Sequence, residues 1–170
     1  MKMNEITKQL FARIYLDNIT SDNFVDWAID CLEEGLDTKN LRMLAASEKP
    51  YYSDEIEIRF NKTLNELSWQ KPTKEESLFS YAKEFADKIV NGSLSPTEGL
   101  RDIYLISLEL NYPPKLKAWL YLNEGHDPET NEWLYDTYGY SKMEREKWIE
   151  AIKREAKKLS ETCFDEQLEK

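Results

Sequence analysis

Apolar residues recur along this chain at intervals of three and four, the spacing that lines up side chains on one face of an α-helix. No stretch gives a convincing strand alternation. The first such segment covers residues 3–18, with Ile6, Leu10, Ile14, Phe11 and Tyr15 on one side. A second, 22–34, has Ser21 or Asp22 as its cap and Gly35 to stop it in a left-handed turn. A short third begins at Asp37 and carries Leu41, Leu44 and Ala45. The fourth starts near Ser53, aligns Ile56, Phe60, Leu64 and Leu67, and ends before Pro72. The fifth runs from Thr73 to Val90 with Leu78, Tyr81, Ala82, Phe85, Ala86 and Ile89 as its stripe, and halts at Asn91-Gly92.

The sixth helix has the strongest start. Ser95-Pro96-Thr97-Glu98 combines a capping box with proline at the first helical position. Its body places Leu100, Ile103, Tyr104, Leu105, Ile106, Leu108 and Leu110 in nearly every direction, which predicts a helix buried on all sides. A last helix, 141–159, opens with the capping box Ser141-Lys142-Met143-Glu144 and buries Trp148, Ile149, Ile152, Ala156 and Leu159. The pattern therefore predicts an all-α fold, an irregular orthogonal bundle of six to eight helices around a buried central helix near 98–110. No linker-like stretch interrupts it, so a single domain is expected over 1–159, followed by a polar, frayed tail at 160–170.

Composition supports the helical reading. There are 20 Leu and 11 Ile but only two Val, and Gly and Pro together number 11, too few for a sheet protein with its turns. Charge narrows the partners. The net charge is −10, which repels phosphate backbones and anionic lipid and argues against nucleic acid and membrane as partners. No apolar run approaches the roughly 18 residues of a membrane span. Met1 to Ile14 has no signal-peptide core, and Cys31 and Cys163 stand far apart without a metal or disulfide pattern, so a cytoplasmic protein is expected.

The chemistry of catalysis finds little to work with. The single histidine, His126, precedes Asp127 as in some metal-dependent phosphohydrolases, but those need further histidines. A di-iron bundle needs Glu-x-x-His motifs, and Asn123 stands three before His126. With five Gly in the chain there is no phosphate-binding loop, and no nucleophile sits in a recognisable turn. The oxygen-bearing run Asp127–Glu132 departs from a calcium loop at its sixth position, Glu132, and its twelfth, Tyr138. No catalytic residue, metal ligand or cofactor is assigned.

Two features rise above this background. Between Ser21 and Thr38 lie Asp22, Asp26, Asp30, Glu33, Glu34 and Asp37, with no Lys or Arg. At 100° per residue, Asp22, Asp26, Asp30 and Glu33 fall within an arc of roughly 80°, with Phe24, Val25, Ala28, Cys31 and Leu32 opposite and Trp27 at the border. Like charges at i,i+4 oppose the helix that carries them, and Glu33 and Glu34 lie at the wrong end of its dipole. A solvated face, or pairing with the lysines and arginines of 141–159, would explain the stripe without a partner; a docking surface for a basic protein would explain it with one. The second feature is residues 112–140, a stretch expected to be non-helical, with seven of the 21 aromatics and only Lys115 and Lys117 as cations. Aromatics without cations do not make a nucleic-acid platform. They fit core packing, or a ligand pocket lined by Trp119, Tyr121, His126, Trp133 and Tyr135.

The expected function is a non-enzymatic cytoplasmic protein-binding domain, an inhibitor, immunity-type or adaptor protein that engages a basic partner through the acidic helix face. Small acidic helical inhibitors of basic toxins, such as bacteriocin immunity proteins, share this composition, and the likeness extends to no particular residue. The alternative is a small-ligand-binding protein or pocket enzyme centred on 112–140.

Overall fold

A computed structural model describes residues 3–124 and 145–162. Among these residues the chain is all-helical, with eight α-helices and no strand. The helices are α1 (Glu5–Tyr15), α2 (Ser21–Glu33), α3 (Lys39–Ala45), α4 (Ser53–Glu66), α5 (Lys74–Val90), α6 (Pro96–Glu109), α7 (Lys117–Glu124) and α8 (Arg145–Ser160), and a 3-10 turn, Pro114–Leu116, precedes α7. None is long and apolar enough to cross a membrane, among the described residues. The chain divides into two compact units, 1–80 and 81–170, with the division falling inside α5.

In the first unit α2 packs on α1, α3 and α4, and α3 packs on α4. The core forms where two helices deliver three aromatic rings to Phe60 of α4. Phe24 and Trp27 of α2 meet its ring edge-on at 5.0 Å, and Phe11 of α1 meets it at 5.6 Å. Leu41 and Leu44, three residues apart on α3, are fully buried beside them. A polar chain reinforces the α1–α2 contact. The buried Trp27 indole donates to Thr7 Oγ1 (2.9 Å), the Thr7 hydroxyl donates to Asn4 Oδ1, and Asn4 Nδ2 donates to Glu34 Oε2 (2.6 Å). Asn4 also caps α1 by accepting from the Thr7 backbone N–H, so one side chain starts a helix and ties it to its neighbour.

In the second unit α6 packs on α7 and α8, and α7 on α8. Helix α8 buries Trp148, Ala151, Ile152, Ala156 and Leu159, one face at helical spacing. Its Trp148 indole donates to the Leu122 carbonyl (3.1 Å), satisfying an acceptor of the last turn of α7. Gly99 of α6 is required by close approach, since a Cβ there would lie 2.5 Å from Ile89 Cδ1 of α5. Of the tail expected to fray, Ser160 hydrogen-bonds Asp87 and the Thr162 carbonyl accepts from Lys83 (3.4 Å); residues 163–170 lie outside the described residues. So do residues 141–144, the expected start of the last helix.

Two expectations need correction. Helix α6 is not enclosed on all sides: Leu100, Ile103 and Ile106 are buried, but Leu105 is 50% exposed. Leu105 falls on the same helical line as the exposed Glu98, Arg101 and Glu109, a polar stripe that a count of apolar directions overlooks. Six consecutive residues of α5, 77–82, are buried. The segment from 112 onward is also not irregular at its start. It forms the 3-10 turn and α7, a short helix that begins behind Pro113-Pro114 without a Ser, Thr, Asp or Asn cap to announce it.

Chemical denaturation checks the burial pattern of α6. Ile106→Ala should cost about 2–5 kcal/mol, while Leu105→Ala should cost roughly 1 kcal/mol or less. Equal large losses at both sites would mean that α6 is surrounded after all.

Candidate functional site

The acidic face of α2 owes its position to how firmly the opposite face is held. Thr20 caps the helix, with its backbone N–H donating to Asn23 Oδ1 (2.9 Å). The other end closes at Gly35, whose φ of +88° lets its N–H reach the Leu32 carbonyl while the Leu36 N–H reaches that of Cys31, both at 3.0 Å. Between these ends Phe24, Val25, Trp27, Ala28 and Cys31 are buried, so Trp27 belongs to the core and not to a border. Burial pushes the Cys31 thiol up to about 11, which keeps it protonated and unreactive at neutral pH.

The six acids divide into two groups. Asp22 meets Lys49 Nζ at 2.8 Å, and the hydrogen bond from that lysine holds its carboxyl below the usual range. Asp37 accepts from Arg42 Nη1 at 2.7 Å, and Glu34 accepts from Asn4. The counter-charges for Asp22 and Asp37 thus come from α3 and the loop behind it. On α8, Arg154 and Lys158 pair with Glu155, and Lys157 with Glu161. Asp26, Asp30 and Glu33, in the middle of the stripe, are exposed and have neither a hydrogen bond nor an ion pair to any described residue. The Asp30 carboxyl is accordingly held above its usual range, first by partial desolvation and then by the charges of Glu33, Asp26 and Glu34.

One residue borders the acidic arc. Ile29 is 40% exposed, and at 100° per residue it lies about 20° from Asp22 on the side away from Asp26. The spacing alone would have located it. The face therefore presents three unpaired carboxylates with one aliphatic side chain at its edge, a combination suited to a cationic surface with an apolar contact beside it.

Trp119 is 1% exposed and packs in α7, and Tyr121 is half-buried with Lys117 Nζ 5.8 Å from its ring centre. His126, Trp133 and Tyr135 lie outside the described residues, as does the run Asp127–Glu132. Among the described residues no three His, Cys, Asp or Glu side chains are grouped to hold a metal ion. No protein-family model, curated protein or solved structure matches the chain.

The two kinds of acid on α2 should respond oppositely to neutralisation. A carboxyl raised in the folded state destabilises above its pKa and ceases to do so as pH falls through it; a lowered one stabilises above the unfolded pKa and loses that contribution in acid. Asp30→Asn should therefore raise the melting temperature at neutral pH, with about 0.2–0.5 kcal/mol gained per relieved i,i+3 or i,i+4 repulsion, and the gain should vanish below the carboxylate range. Asp22→Asn should lower the melting temperature at neutral pH. Both signs are read from thermal melts at low salt, and a loss at Asp30 would show that a cation neutralises it.

Proposed function

We propose that this chain is a non-enzymatic, cytoplasmic protein-binding domain that engages a basic protein through the outer face of α2. Asp26, Asp30 and Glu33 supply the charge and Ile29 an apolar contact. The observation that carries the reading is the uncompensated middle of the stripe. Asp22 and Asp37, at its ends, have ion pairs of their own, while of the four acids between them Glu34 meets only the neutral Asn4 and Asp26, Asp30 and Glu33 have no ion pair among the described residues, Lys49 reaching Asp26 only at longer range. Repulsion within the helix is relieved when a cationic partner arrives, and the negative field speeds the encounter. An inhibitor, immunity-type or adaptor role would use the face in this way. A net charge of −10 disfavours nucleic acid as the partner.

The test uses a defined probe, a synthetic helical peptide with Lys or Arg on one face and leucine between them. Its association rate with the full chain should fall as salt rises, because screening shortens the reach of the field to about 8 Å at physiological ionic strength. Asp26→Asn, Asp30→Asn and Glu33→Gln together should slow association about tenfold or more at low salt. A control that neutralises Glu146 and Glu150 on α8 should leave the rate nearly unchanged. Equal slowing by both sets would reduce the effect to net charge and remove the α2 face from the account.

A further inference from the structure

Asparagine followed by glycine occurs once in this chain, at Asn91-Gly92. The pair closes α5. The Asn91 N–H bonds the Asp87 carbonyl (2.9 Å), and Gly92 turns the chain away with a φ of +79° and a 3.2 Å bond from its N–H to Ile89 O. Asn91, Gly92 and Ser93 are all exposed. The Asn91 side chain is not free in solvent, however: the Ser93 N–H donates to its Oδ1 at 2.9 Å. That bond holds the amide back toward the main chain and draws electron density from Cγ, making it a better electrophile. Gly92 has no Cβ, and nothing lies within 4 Å of where one would stand, so a ring closing there meets no side chain.

We propose that Asn91 is a self-modifying site, converting spontaneously to aspartate and isoaspartate. The Gly92 N–H gives its proton to solvent base and the nitrogen attacks Asn91 Cγ, forming the new C–N bond of a five-membered imide. The Cγ–Nδ2 bond breaks, and the leaving nitrogen takes a proton from water and departs as ammonia. Water then opens the imide at either carbonyl, giving aspartate or, with the main chain routed through the side-chain carbon, isoaspartate. The one interaction that must open first is the Gly92 N–H bond to Ile89 O, at a helix end where fraying is easy. Other asparagines are held differently. Asn4 is engaged by Thr7 and Glu34, and Asn40 by Glu66, and each precedes a residue with a Cβ. The product places a carboxylate just past the last turn of α5, at the negative end of its dipole, on a chain already at −10.

The experiment incubates the intact folded protein at mildly alkaline pH in water enriched in heavy oxygen, then analyses the tryptic peptide Ile89–Arg101 beside a synthetic copy treated alike. Deamidation adds about one dalton before the isotope is counted. The expected result is conversion in the folded chain at a rate within several-fold of the synthetic peptide, incorporation of heavy oxygen, labelling by an isoaspartate methyltransferase, and loss of all three in Asn91→Gln. Gly92→Ala, should it fold, slows conversion several-fold. Full conversion of the synthetic peptide with Asn91 intact in the folded chain would overturn the proposal, as would equal conversion at the other asparagines.

Discussion

The ring of Phe60 is the point on which the first unit turns. It projects from α4 and receives Phe24 and Trp27 from α2 and Phe11 from α1, so three helices are fixed by contact with one side chain. Two of those rings come from α2, three residues apart, and their joint contact sets the rotation of that helix. The polar chain from the Trp27 indole through Thr7 and Asn4 to Glu34 sets it a second time by directed bonds. With its inner face settled in this way, α2 must present Asp26, Asp30, Glu33 and Ile29 outward.

Magnitudes explain why the acidic stripe is tolerated. Burying a side chain such as Phe24 or Val25 stabilises by about 1.5–3 kcal/mol. Each like-charge pair at i,i+4 costs only about 0.2–0.5 kcal/mol. The inner face can therefore hold α2 helical against its own outer face. The caps lower the demand further, since Thr20 and Gly35 satisfy backbone groups at both ends. Helix α2 is thus a stable carrier for Asp26, Asp30 and Glu33, whose charge does nothing for the stability of the helix itself.

Much of the fold was legible because its signals are local. Gly35 ends α2, Ser95-Pro96-Thr97-Glu98 begins α6, and the stripe of α8 is buried as its spacing requires, each decided within a few residues. Features that depend on neighbours distant in sequence were less legible. Leu105 reads as core by composition and is exposed because the flanking Glu98, Arg101 and Glu109 claim its side of α6. The division among the six acids was hidden for the same reason. Asp22 is paired by Lys49, 27 residues later, and nothing in the helical pattern of 22–34 announces that partner. Ile29 could have been found from the helical angle alone.

A docking role for the α2 face needs its charge to be unmatched, and the carboxyl of Asp30 responds to that charge. Its titration can be followed by carbon NMR of the side-chain carboxyl in the intact protein, at low and at high salt. The expected result is a pKa above the ordinary aspartate value of about 3.9, with the part due to Glu33, Asp26 and Glu34 shrinking as salt screens them while the part due to desolvation stays. A value below the ordinary one, rising with salt, would reveal a cation seated on Asp30 and would contradict the central claim.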